Sequence, residues 1–146
     1  MKHDPIIYHE AGHAVVGWHV GMRLVFADMT GLTVPCPVVG LDCGPVAAPE
    51  RPRARALAAL AGPIAEAMMN GGQYHWRQDG KVAEVAAKAL HNEDAEARYV
   101  QLAKWFRETR GVLAAHERHM DRVASAFKAR GVLTGEEVYA AIEGPF

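Results

Sequence analysis

Long apolar runs are missing from this sequence. The longest stretch free of Asp, Glu, Lys and Arg, Met29 to Leu41, is thirteen residues broken by proline and glycine, whereas a membrane-spanning helix needs about 20 apolar residues. No transmembrane segment is expected. An excess of one charge is missing too: sixteen Lys and Arg against seventeen Asp and Glu leave a formal charge of -1. That is too close to neutral for the wide positive field on which nucleic-acid binding rests, so no nucleic-acid partner is expected. Cysteine is nearly absent. Cys36 and Cys43 cannot build a disulfide scaffold in a chain of 146 residues, and no Cys-x-x-Cys spacing points to a metal, so both are read as reduced thiols. Met1 to Pro5 shows no basic stretch leading into an apolar run, so a secretory signal is not expected and a cytoplasmic location is. Repeats, low-complexity tracts and long linkers are lacking as well.

What is present suits one globular unit over residues 1–146: half of the residues are hydrophobic and 23% are charged, enough of each for a core and a solvated surface. Twice as many charged side chains lie in residues 74–146 as in 1–73, and the second half reads as solvated helices. Asp4-Pro5 is a helix start, because a short acidic side chain accepts a backbone N–H at the N-cap and proline loses nothing at the first helical position. The helix should run from Pro5 to Val20 and stop at Gly21. Residues Arg23 to Met29 and Val38 to Asp42 are short, partly β-branched and bounded by turn residues, so brief strands are expected there.

Ala54, Leu57, Ala58, Ala61, Ile64, Ala65 and Met68 recur at helical spacing, with Gly62-Pro63 expected to kink or break the helix. The same spacing predicts three more helices, from Val82, Val85, Ala86 and Ala89, from Tyr99, Leu102, Ala103 and Phe106, and from Val112, His116, Met120, Val123 and Phe127. Thr134 with Glu137 forms a capping box that opens a last helix through Ile142. The fold class is mainly α with a small β-sheet, an α+β domain.

The segment His9-Glu10-Ala11-Gly12-His13 falls inside the first expected helix and matches His-Glu-x-x-His. Four residues at about 100° each bring His9 and His13 to within about 40° on one face, so both imidazoles reach one ion while Glu10 flanks it. Zn²⁺ accepts neutral imidazole and in catalytic sites keeps one position open for water. A carboxylate beside that position can take a proton from water and return it to a leaving amine, which makes peptide hydrolysis the natural reaction. A third protein ligand is needed, and two carboxylates stand out: Glu66 on the apolar stretch Ala61-Gly62-Pro63-Ile64-Ala65-Glu66, and Asp79 at the start of the following helix.

Taken in order, His9-Glu10-Ala11-Gly12-His13-Ala14, Leu60-Ala61-Gly62-Pro63-Ile64-Ala65-Glu66, Gln78-Asp79 and Leu133-Thr134-Gly135-Glu136-Glu137 resemble the peptidase domain of FtsH-type AAA metalloproteases. The resemblance runs from His9 to about Ile142, and its first block is the specific one. It implies a zincin-like helical metallopeptidase domain, with zinc held by His9, His13 and Asp79 and with Glu10 catalytic. It also implies that Glu66 orients a ligand histidine, with direct metal ligation as its alternative, and that Val38, Val39, Gly40 and Leu41 form an edge strand able to pair with an extended peptide. Two positions depart from the family pattern: Gln78-Asp79-Gly80 stands for Asn-Asp-Leu, and Pro63 for the arginine of Gly-Gly-Arg.

The resulting expectation is a zinc endopeptidase acting on flexible or unfolded polypeptide without ATP. Family members carry an ATPase module and membrane segments that the 146 residues do not contain, so ATP-driven processive degradation would call for a separate ATPase partner; a homo-oligomer is the other expected partnership. The alternative is a zinc-stabilised binding or regulatory module with little turnover. Elsewhere, His116 and His119 read as packed or boundary residues, His75 and Tyr74 as weak candidates for stabilising an oxyanion, and Trp18, Trp105 and Phe106 as core or interface aromatics. His3, His19 and His91 belong to no recognisable constellation.

Overall fold

The structure, a computed structural model, describes residues 4–31 and 37–145. Asp4 accepts a hydrogen bond from the Ile6 amide at 2.8 Å and caps α1, Pro5–His19. The helix ends as expected at Val20 and Gly21, whose φ of 86° is a left-handed conformation that costs glycine little. Two strands follow, β1 at Arg23–Asp28 and β2 at Val38–Asp42, antiparallel and in the register Arg23 to Asp42 through Asp28 to Val38, with an irregularity between Leu24 and Phe26. After a single 3₁₀ turn at Ala48–Glu50 come α2 (Arg51–Met69), α3 (Arg77–His91), α4 (Ala95–Ala115) and α5 (Glu117–Arg130). The chain closes with β3, Val132–Thr134, and α6, Gly135–Glu143. The expected α+β class, mainly helical with a small antiparallel sheet, describes this architecture.

β3 was not expected from the sequence. Three residues carry too little alternation to read, and only pairing with β1 defines the strand, with Ala27 opposite Leu133. The sheet order β2-β1-β3 leaves β2 on an edge. Thr134 and Glu137 form the reciprocal capping box at the start of α6.

α1 and α2 pack closely because small residues meet. A side chain at Gly12 would collide with the Ala61 carbonyl and the Ala65 methyl. Around this contact lie Val15, Val16, Leu57, Leu60 and Ile64, joined by Trp105 and Leu113 of α4, Val123 and Phe127 of α5, and Val138 and Ile142 of α6. Cys43, a free thiol, is buried in a smaller cluster with Met22, Val46, Ala54 and Ala58; Cys36 lies outside the described residues.

Four expectations need correction. The helix expected from Val112 through Phe127 is divided, with Val112 on α4 and His116 separating it from α5. α2 is not broken at Gly62-Pro63 but continues through Pro63. An interior proline costs about 3 kcal/mol or more, and α2 is buried along most of its length from Ala54 to Ala67, so packing on several sides outweighs that local cost. On α3 the stripe is rotated: Ala83, Ala86 and Ala87 are buried, whereas Val82 and Val85 are exposed. Small alanines allow the helix close to its neighbours, and the larger valines are left outward. Likewise Met68 and Tyr99 are exposed, and the buried face of α4 is Trp105, Thr109 and Leu113.

Candidate metal centre

α1 presents His9 and His13 toward α2 and the first turn of α3, and Glu10 toward β2. His13 directs Nδ1 to the Ala58 carbonyl at 2.7 Å, and His9 directs Nδ1 to Glu66 Oε1 at 2.8 Å. A carbonyl and a carboxylate only accept, so both Nδ1 atoms carry hydrogens and both Nε2 atoms present lone pairs when the rings are neutral. Those lone pairs converge on one oxygen: Asp79 Oδ2 lies 3.0 Å from His9 Nε2 and 3.3 Å from His13 Nε2.

Three acceptors at such separations need a cation among them. In the metal-free protein a proton serves. Burial, the largest influence on His13, pushes its pKa down, but the hydrogen bond and charge of Asp79 and the charge of Glu10 outweigh it and raise the value to about 9. Burial likewise pushes Asp79 up, and the hydrogen bonds from His13 and His9 override it, holding the carboxyl well below the usual range. A metal ion fits the same place. Tetrahedral bonds of about 2.0 to 2.1 Å put neighbouring ligand atoms about 3.3 Å apart, close to the two observed separations. The His9–His13–Asp79 group could thus hold a metal ion, and among the described residues no other set of three such side chains brings its ligand atoms together.

Space for an ion comes from Gly62. A Cβ at that position would overlap the Nε2 atoms of both His9 and His13. Gly62, read from the sequence with Pro63 as a kink or break, therefore stands on the wall of α2 that faces the two Nε2 atoms.

Glu66 does not face the two Nε2 atoms. Its carboxylate bridges His9 Nδ1 and, through Oε2, His75 Nδ1, which places it behind a ligand histidine. Glu10 is 8% exposed and lines the cleft with His9, His13 and Asp79. Burial is the main cause that raises its pKa, opposed by the nearby histidines and by the backbone N–H of Val39, which hydrogen-bonds to its carboxylate.

The cleft has a volume of about 540 Å³, and Val38, Val39 and Leu41 of β2 form one wall. Gly40 does not line it; a side chain there would strike the Phe26 ring. Tyr74 and His75 do not line it either: Tyr74 stacks on Trp76 at 5.1 Å and His75 is turned to Glu66. His116 and His119 lie elsewhere, 5.2 Å apart between ring centres, where His119 stacks on Trp18. The Ala58 carbonyl and the space over Gly62 were missed in the sequence because neither is a side chain; the Gly-Pro pair was visible but was read for backbone alone.

The chain matches no protein-family model, and no curated protein matches it.

Proposed function

We propose that the chain is a zinc-dependent endopeptidase that hydrolyses peptide bonds in flexible or unfolded polypeptide, without ATP. The observation that carries this reading is the convergence of two Nε2 lone pairs on Asp79 Oδ2 with the buried Glu10 in the same cleft. The resemblance of the motifs to FtsH-type peptidase domains favours the same chemistry.

His9, His13 and Asp79 would hold the zinc, with Glu66 and the Ala58 carbonyl fixing the two rings. Zinc supplies Lewis-acid polarisation of water and of a substrate carbonyl. Glu10 takes the proton of the attacking water on its carboxylate and delivers it to the departing amine nitrogen. Burial raises the pKa of the Glu10 carboxyl, which makes it a stronger proton acceptor than an exposed glutamate. β2, an edge strand along the cleft, can pair with an extended peptide and lay its backbone across the site, the usual way that an unpaired edge recognises unfolded chain. A folded substrate could not adopt that extended form.

The test is cleavage of unfolded casein by zinc-loaded protein. Activity without ATP, abolished by a chelator and restored by zinc, is the expected result. Full zinc loading with no cleavage across a broad panel of unfolded proteins would replace the enzyme by a zinc-stabilised binding module.

A further inference from the structure

A groove between α2 and α3 leads out of the metal cleft, and Arg55, Gln78 and Val82 border both. Pro52, Val85, Ala86 and Ala89 complete an apolar lining around about 250 Å³. Val82 is 43% and Val85 69% exposed, β-branched side chains that the packing of α3 leaves facing water.

The charges on this groove are one-sided. Arg55 and Lys81 line it and no carboxylate does. The other two arginines at the start of α2 are engaged: Arg51 donates to the Val46 carbonyl at 3.0 Å, and Arg53 pairs with Glu108. Arg55 and Lys81 have no ion-pair partner among the described residues. At the metal centre Glu10, Glu66 and Asp79 share the cleft with the cation they surround, so the uncompensated positive charge lies in the groove. An acidic substrate side chain is attracted there.

We propose that this groove receives one flank of the substrate peptide and selects Asp or Glu, set among small apolar residues, a short distance from the bond to be cut. The inference rests on the endopeptidase reading and names its substrate preference. Apolar neighbours of the acidic residue cover Val82 and Val85, while its carboxylate lies between the Arg55 guanidinium and the Lys81 ammonium. An extended peptide bound along β2 can reach the groove because the two spaces share a border.

Binding tests this separately from cleavage. Fluorescein-labelled peptides of Ala, Ser and Val, with one Glu, Gln or Lys moved through each position, are titrated by anisotropy against zinc-supplemented Glu10→Gln protein, which should leave bound peptide intact. An exposed ion pair contributes a factor of roughly 1.5 to 5, so with two cations at the favoured position the Glu peptide should bind about twofold to 25-fold tighter than the Gln peptide at low salt. The preference should vanish in Arg55→Gln/Lys81→Gln, reverse toward the Lys peptide in Arg55→Glu/Lys81→Glu, and persist in the remote variant Lys128→Gln. Circular dichroism of each variant confirms that the fold is intact. Equal binding of Glu and Gln peptides, a preference that survives the double Gln variant, or no binding of any peptide overturns the groove assignment. A Glu preference that obeys the variants, alongside zinc-loaded parent that cleaves nothing, supports the groove and instead overturns the endopeptidase.

Discussion

Glu66 Oε1 lies 2.8 Å from His9 Nδ1, and the opposite nitrogen of that ring lies 3.0 Å from Asp79 Oδ2. One imidazole is thus held between two carboxylates with different roles: Glu66 sets its tautomer and direction, and Asp79 shares the place of the cation. The same division holds at His13, where a backbone carbonyl replaces Glu66.

Removing the carboxylate charge at each position should therefore have unequal effects. Loss of an outer partner of a metal ligand typically costs 10- to 100-fold in affinity, so Glu66→Gln should weaken zinc within that range and Asp79→Asn by more. Competition with a chelator of known affinity ranks the two. The reverse order would make Glu66 the ligand.

Gly62→Ala is the corresponding test of space. Alanine favours a helix by about 1 kcal/mol over glycine, but its methyl group would overlap both Nε2 atoms. The expected variant keeps its helical circular dichroism and loses zinc affinity by at least the amount seen for Asp79→Asn. Unchanged zinc binding would place the ion away from α2.

Zinc should also displace a proton. His13, with its pKa raised to about 9, is protonated at pH 7 in the metal-free protein and must be neutral to bind zinc. Calorimetric titrations in buffers of different ionisation heat should show close to one proton released from His13 per zinc at pH 7, with apparent affinity rising as pH approaches 9. The sign for stability is the converse. A raised folded-state pKa stabilises the metal-free fold fully below the unfolded value of 6.5 and loses that stabilisation as pH climbs through about 9. Thermal melts of the chelated protein across that window check it, and stability that rises with pH there would contradict the His13–Asp79 pairing.

Much of this arrangement is legible in sequence where one helix carries it. Asp4-Pro5 caps α1, and the i, i+4 spacing puts His9 and His13 on one face with no tertiary information. Residue pattern alone names Asp79 and Glu66 only as carboxylates of suitable position, and it took the family resemblance to prefer Asp79, since 70 residues separate Asp79 from His9 and only packing of α1, α2 and α3 determines which one meets Nε2. Periodicity misplaced α3 because Val82 outranks Ala83 in hydrophobicity, yet closeness between helices favours the smaller side chain. Pro63 misled for a related reason: a local cost was weighed without the burial that α2 gains along its length. The three residues of β3 have no pattern apart from their partner β1.

In the proposed site Glu10 moves the proton while His9, His13 and Asp79 hold the metal, and Glu10→Gln separates these roles in one protein. Zinc content by elemental analysis and cleavage of unfolded casein are measured side by side in parent and variant. Zinc content and fold should be unchanged, and cleavage should fall by about 10²- to 10⁴-fold, the usual loss when a general acid–base group is removed. Equal cleavage by parent and Glu10→Gln, or a parent purified without added metal that holds no zinc and is not stabilised by it, would contradict the account.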